Sequence, residues 1–284
     1  MRVMTIASGS SGNCIYVGDD DTHILIDTGI SRKKVEEGLN KLELSIPDID
    51  AILVTHEHSD HISGLGVVER KSAIPVYATW GTISGIKNTN LGRMPEDIYN
   101  VVECDQEFSV GTLKVRAVAT SHDALRPCAF RVEAQNKAFG LVTDLGVYDD
   151  YIVDSFAGVN CMVLEANHDI RMLETGPYPY PLKQRILGEK GHLSNEAAGH
   201  LIDRLLGNQV QEILLGHLSK ENNYPDLAYQ TVKSEIDMSG SEYKSGDFKI
   251  SVAGRDKPEP YYHIVISAVK LILIMLYIIL YIIK

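Results

Sequence analysis

The six residues His56-Glu57-His58-Ser59-Asp60-His61 hold three imidazoles and the Asp60 carboxylate in one short stretch. They follow the apolar run Ala51-Ile52-Leu53-Val54, which reads as a buried strand closing in a loop. A strand end is a rigid platform, so loop side chains just beyond it are held in fixed directions. Neutral imidazole and carboxylate are the ligands taken by borderline dications such as Zn²⁺ and Mn²⁺. His56 and His58 suit one ion, and Asp60 and His61 suit a second beside it. A solvated loop that is merely rich in histidine fits this spacing poorly.

Two ions need more ligands than one loop supplies, and later strand ends offer them. His122 follows Leu113 to Ala119, Asp144 follows Phe139 to Thr143, and His217 follows Ile213 to Gly216. Taken singly, each fits an ordinary hydrogen-bonded loop residue. Recurring at the same end of successive apolar runs, they read together as ligands.

The elements that must position these groups are visible as short apolar runs. Strand-like patterns cover Val3–Ala7, Cys14–Val17, His23–Ile26, Ala51–Val54, Val76–Ala78, Leu113–Val118, Cys128–Val132, Ala138–Val142, Met162–Leu164 and Glu212–Leu215. Ser31 is an N-cap for a helix carrying Val35, Leu39 and Leu42, and a second helix follows the histidine-rich loop. In Asn195–Leu206 a stripe of Ala198, Leu201, Ile202 and Leu205 has helical spacing. Strands grouped early and late with helices between them predict an α/β fold of two packed sheets with helices outside. Asp169–Gly191, with Pro177, Pro179 and Pro181, reads as a loop excursion over the site.

Composition narrows the class. The chain has 284 residues, 44% of them hydrophobic, which suits one large domain over residues 1–260. Its net charge of −11 argues against holding nucleic acid mainly by bulk electrostatics, although carboxylates that ligate dications are locally neutralised. Cys14, Cys104, Cys128 and Cys161 form no CxxC pair, and the N-terminus has no signal-peptide pattern. A reducing, cytoplasmic setting is expected.

His-x-His-x-Asp-His followed by a His, an Asp and a His after later strands resembles the metallo-β-lactamase superfamily of dinuclear hydrolases. The resemblance covers roughly residues 1–260. It implies a four-layer αβ/βα sandwich and two divalent ions, Zn or Mn with Fe also open. By it, His56, His58 and His122 hold the first ion, Asp60, His61 and His217 hold the second, and Asp144 bridges. Asp27, in Leu25-Ile26-Asp27-Thr28-Gly29, matches a position that orients a ligand histidine. Two dications about 3.5–4 Å apart bring the pKa of a shared water near neutrality, and Asp60 and Asp144 would fix the metals and orient the hydroxide so formed.

Three further segments narrow the resemblance to the YycJ/WalJ (VicX) subgroup, which is associated with DNA exonuclease activity and a cell-wall two-component locus. They are Ser8-Gly9-Ser10-Ser11-Gly12-Asn13-Cys14, Glu165-Ala166-Asn167-His168-Asp169 and Gly191-His192-Leu193-Ser194-Asn195. Ser8, Ser10, Ser11 and Asn13 offer hydroxyls and unhindered N–H groups to phosphate. His192 and His168 are candidates for binding phosphate or protonating the leaving oxygen. Tyr178, Tyr180, Lys183, Arg185 and Lys190 suit stacking on bases and pairing with phosphates. The expected activity is metal-dependent digestion of DNA, 5′ to 3′. The alternatives are a glyoxalase-like thioesterase or other small-molecule metallohydrolase, and a non-catalytic metal-binding regulator. The sequence leaves oligomeric state open.

Residues 261–284 differ in kind. From Ile264 to Ile283 the chain is almost wholly apolar, broken by Ser267 and Lys270. Twenty helical residues would just span a bilayer core of about 30 Å, but Lys270 shortens the run. A membrane contact, a buried or interfacial segment, and translated sequence beyond the natural end all fit.

Overall fold

Strands that are apolar at successive positions need a packing partner on both faces of their sheet. The computed structural model, which describes residues 1–207, 209–255, 258 and 262–264, supplies those partners. Chain order begins β1 (Arg2–Ala7), β2 (Cys14–Gly18), β3 (His23–Ile26), α1 (Arg32–Asn40), β4 (Ala51–Leu53), α2 (Ser59–Ile62) and α3 (Leu65–Ser72). It continues β5 (Val76–Ala78), α4 (Trp80–Asn88), β6 (Tyr99–Val101), β7 (Glu107–Val110), β8 (Leu113–Ala119), β9 (Cys128–Ala134) and β10 (Lys137–Val142). The rest is α5 (Asp150–Phe156), β11 (Cys161–Glu165), α6 (Ile170–Thr175), α7 (Tyr180–Leu187), α8 (Asn195–Leu205), β12 (Glu212–Gly216), α9 (Pro225–Met238), β13 (Lys249–Val252) and β14 (Tyr262–His263).

Two seven-stranded mixed sheets result, ordered β14-β1-β2-β3-β4-β5-β6 and β13-β12-β11-β10-β9-β8-β7. In the first, β3 to β6 are parallel. In the second, β10 to β13 are parallel and β7 to β10 antiparallel. Alternate side chains serve different layers, as the period of two requires. In β3, Ile24 and Ile26 enter the core between the sheets, while Leu25 joins the outer core with Val35, Leu39 and Val68. In the second sheet, Leu141, Val163 and Leu214 face the inter-sheet core. Val142, Leu164 and Leu215 face the core formed with Ala198, Leu201, Val232 and Ile236 of α8 and α9. Helix, sheet, sheet, helix is therefore the layer order, and the fold is the four-layer αβ/βα sandwich.

Local signals account for several elements. Ser31 caps α1, accepting from the Lys34 N–H, and Ser194 caps α8, accepting from the Ala197 N–H. The Asp169–Gly191 segment differs from the expected loop, because it contains α6 and α7. Prolines there begin structure: Pro179 is the N-cap of α7 and Pro181 lies in its first turn, where a missing N–H costs nothing. The sequence patterns also passed over β6, β7, β13 and β14. The tail at 265–284 lies outside the described residues. Among the described residues, no helix is long and apolar enough to cross a membrane.

Candidate metal centre

Six strands point their C-terminal ends at one place, the location where parallel α/β sheets carry their sites. β3 ends at Asp27, β4 at the His56–His61 loop, β8 near His122, β10 near Asp144, β11 at Glu165 and β12 at His217. Asp27, Asp144 and His217 adopt left-handed backbone, with φ of 61°, 57° and 53°. Each such non-glycine residue costs on the order of 1–2 kcal/mol, and this strain clusters where surrounding contacts over-determine the geometry.

Those contacts are present. The His217 N–H donates to Ser8 Oγ at 3.0 Å, and the His217 carbonyl accepts from Asn167 Nδ2 at 2.9 Å. Glu165, fully buried, joins four groups: Oε1 lies 2.8 Å from both His192 Nδ1 and His217 Nδ1, and Oε2 accepts from the Leu145 and Leu193 N–H groups. In the other half, Asp27 accepts from the Thr55 N–H and Oγ1 and sits 2.8 Å from His61 Nδ1. Gly29 lets this loop approach, since a Cβ there would lie 1.6 Å from the Asp60 carbonyl oxygen.

Among the described residues, four interlocking groups of potential ligands follow. They are His56, His58 and His122; His56, His61 and Asp144; Asp60, His61 and His217; and Asp144, Glu165, His192 and His217, with ligand atoms within 4.8 Å of one another in each group. The residues fit a cation on their own chemistry. Among the described residues, His56 Nε2 is buried with no hydrogen-bond partner, and the buried Asp144 Oδ2 has His61 Nε2 3.2 Å away as its near polar neighbour. His122 lies 3.1 Å from the Gly191 carbonyl through Nδ1, which fixes the proton there and leaves Nε2 as a lone pair.

The electrostatics point the same way. Burial and the neighbouring His61 hold His56 well below the usual imidazole range, so it is a neutral donor. Burial lowers His122 as well, against the pull of Asp144. Burial would also discharge His61 and His217, but carboxylates reverse the outcome. Asp144, Asp27 and Asp60 hold His61 well above its usual value, and Asp144, Asp60 and Glu165 push His217 up to about 10. Burial would keep Asp60 and Asp144 protonated, yet the surrounding imidazoles drive both far down. Protons and dications compete for these atoms, and a field that retains protons here also attracts metal.

A cavity of about 220 Å³ opens onto the cluster, lined by Ser10, His58, Asp60, Asp144, Tyr178, Arg185, His192, His217 and Ser219 among others. Of the substrate candidates, Ser10, Tyr178 and Arg185 line it. Arg185 also forms a two-pronged pair with Asp123, whose carboxylate stands 3.4 Å from His122 Nε2 and 3.7 Å from His58 Nε2. Ser11 is exposed, while Ser8 is buried in its bond to the His217 backbone. Asn13 accepts from the Gly9 N–H and reaches Asp60 and His61 with Nδ2, so it braces the cluster.

Two candidates are placed elsewhere. The Lys183 ammonium donates to the Glu174 and Gly176 carbonyls, tying α7 to the end of α6, and is therefore already committed. His168 is 1% exposed, lines no part of the cavity, and has neither ring nitrogen hydrogen-bonded among the described residues. Burial pushes its pKa down to about 4, so the ring is neutral. Conversely, Glu165 and Asp123 escaped the residue-type reading. Glu165 heads one of the segments that carry the family resemblance but had no role assigned to it, and the signal for Asp123 is its position directly after His122.

Comparison with known proteins agrees with this geometry. Residues 22–217 match the beta-lactamase superfamily domain. The chain is 39% identical over 232 residues to exodeoxyribonuclease WalJ of Streptococcus pneumoniae, covering 81% of this chain and 86% of that one. It is 38% identical over 240 residues to exodeoxyribonuclease YycJ of Bacillus anthracis, covering 84% and 90%. Zn²⁺-bound PqqB from Methylobacterium extorquens shares the fold with a TM-score of 0.68 at 15% identity, covering 92% of this chain and all of that one. The metallo-β-lactamase fold protein YhfI from Bacillus subtilis does so with a TM-score of 0.64 at 15% identity, covering 91% and 98%. Motif, fold and likeness converge: the chain belongs to the metallo-β-lactamase superfamily, in the WalJ/YycJ subgroup.

Proposed function

We propose that this protein is a dinuclear metal-dependent phosphodiesterase that degrades DNA exonucleolytically, working from the 5′ end. The observation that carries the reading is the position of Asp144 between two sets of ligand-type residues at the floor of an open cavity. The substrate class rests on likeness to relatives named as exodeoxyribonucleases over more than four-fifths of this chain. In this reading His56, His58 and His122 hold one dication, Asp60, His61 and His217 the other, and Asp144 both. Two such ions, Zn²⁺ or Mn²⁺ for these ligands, supply Lewis-acid stabilisation of phosphate oxygens and acidify water.

The chain's own residues do the rest. Asp27 fixes the His61 ring and Glu165 fixes the His217 ring, so the ligand nitrogens do not reorganise during the reaction. His192 keeps one proton at Nδ1 against Glu165 and borders the cavity, which leaves Nε2 to exchange a proton with the leaving oxygen. Arg185 and Ser10 line the opening through which a phosphodiester enters, and Tyr178 offers a face for a base.

The test compares labelled DNA, labelled RNA and S-lactoylglutathione under one Mn²⁺ or Zn²⁺ condition. Fastest turnover of DNA, with mononucleotides released from the 5′ end and lost in Asp60→Ala, is the expected outcome. Faster turnover of the thioester, or equal inertness of wild type and Asp60→Ala on DNA, would overturn it.

A further inference from the structure

The chain's single tryptophan, Trp80, is 54% exposed at the start of α4, and Leu125 is 61% exposed on the loop that carries His122. Large apolar side chains exposed on neighbouring segments beside a site mark a candidate binding surface, whereas singly scattered ones do not. The two segments are joined closely. A Cβ on Gly81 would lie 2.6 Å from the Arg126 Cβ and 3.1 Å from the Leu125 carbonyl carbon, so only glycine admits that contact. Thr79 Oγ1 donates to the Arg126 carbonyl at 2.7 Å while capping α4. The Arg126 guanidinium stands 5.8 Å from the centre of the Trp80 ring and is steadied by Glu103 at 2.9 Å.

The patch is tied to the centre. The Leu125 N–H donates to Glu57 Oε1 at 2.7 Å, and Glu57 stands between His56 and His58. Leu125 is three residues beyond His122, which bounds their separation at about 11 Å for a fully extended chain. That reach corresponds to one or two nucleotides of a strand lying across the cavity.

We propose that Trp80, Leu125 and Arg126 form a nucleobase platform on which a base of the bound strand stacks next to the metal centre. The inference rests on the DNA reading above and adds a subsite to it. An aromatic face, an aliphatic neighbour and a flat guanidinium suit the face of a base of any sequence. A phosphate is a poorer occupant, because Glu103 already neutralises Arg126.

The single tryptophan makes the test direct. Single-stranded oligonucleotide with phosphorothioate linkages, labelled at its 3′ end, is titrated against the metal-loaded protein, reading label anisotropy and tryptophan emission together. The expected result is binding with quenched emission. Trp80→Ala should weaken binding roughly ten-fold, with Trp80→Phe largely restoring it. An oligonucleotide abasic near its 5′ end should bind wild type and Trp80→Ala alike. Binding without any change in emission, or equal weakening of normal and abasic oligonucleotides by Trp80→Ala, would overturn the platform. Absence of binding by either readout would instead defeat the DNA reading on which it rests.

Discussion

The first sheet delivers His56, His58, Asp60 and His61 from one contiguous stretch, the loop after β4 and helix α2, whereas the second sends single residues from four strand ends: His122, Asp144, Glu165 and His217. In the first half, local chain geometry does most of the positioning, with Asp27 and Asn13 as long-range braces. In the second half nothing local brings the ligands together. Glu165 spans 27 residues to His192 and 52 to His217, and Ser8 reaches 209 residues to the His217 N–H. A contiguous clamp tolerates loss of a brace better than a dispersed one, because its backbone still holds the ligands near one another.

The sharpest break in that comparison is Asp144→Ala, since Asp144 belongs to ligand groups from both halves. Loss of several kcal/mol of charge stabilisation predicts a fall in kcat of about 10³-fold or more, measured in single-turnover DNA cleavage. Next comes Glu165→Gln, which keeps shape but removes the charge shared by two histidines. It should cost toward 100-fold in metal affinity or activity, while Asp27→Asn should fall nearer ten-fold. Metal titration of both variants side by side checks the order, and a larger effect at Asp27 would contradict the contrast drawn between the halves.

Away from the centre, Glu69 on α3 is 1% exposed, and burial raises its pKa to about 7 from an ordinary 4.5. A carboxyl raised in the fold costs stability as pH climbs from the unfolded value through the folded one. Below about pH 4.5 it costs nothing, and above about pH 7 the full cost is present. Glu69→Gln should therefore raise Tm at pH 8 and leave it little changed at pH 4.5, with a gain on the order of 2 kcal/mol at the higher pH. Thermal melts at the two pH values read this directly. The smallest effect is expected at Lys183: Lys183→Met removes two bonds to carbonyls at the α6–α7 junction and should lower stability by about 1 kcal/mol in denaturant melts.

The same contrast explains what the sequence made legible. The β4 loop is visible because its residues are adjacent and follow an apolar run. His122, Asp144 and His217 are visible only as a pattern of strand ends, strengthened by family resemblance. Glu165 is not visible as a hub, because its four partners meet only after β10, β11, β12 and the α7–α8 turn have assembled. α6 and α7 escaped because clustered prolines signal breaks in a helix as readily as first turns of one, and the residue types do not choose between them. β6 escaped for a different reason: Tyr99-Asn100-Val101 is a short edge strand, half-buried or exposed throughout, with little apolar periodicity to detect. Trp80 and Leu125 carry no motif at all, and their proximity appears only where α4 packs on the loop after β8.

The most direct test of the two-half centre is the metal count of purified, metal-saturated protein, measured by elemental analysis against protein concentration. Wild type should hold about two ions per chain, and His58→Ala and His61→Ala about one each, with the retained ion differing in affinity between them. One ion in wild type, or an unchanged count in both variants, would contradict a centre assembled from two ligand sets around Asp144.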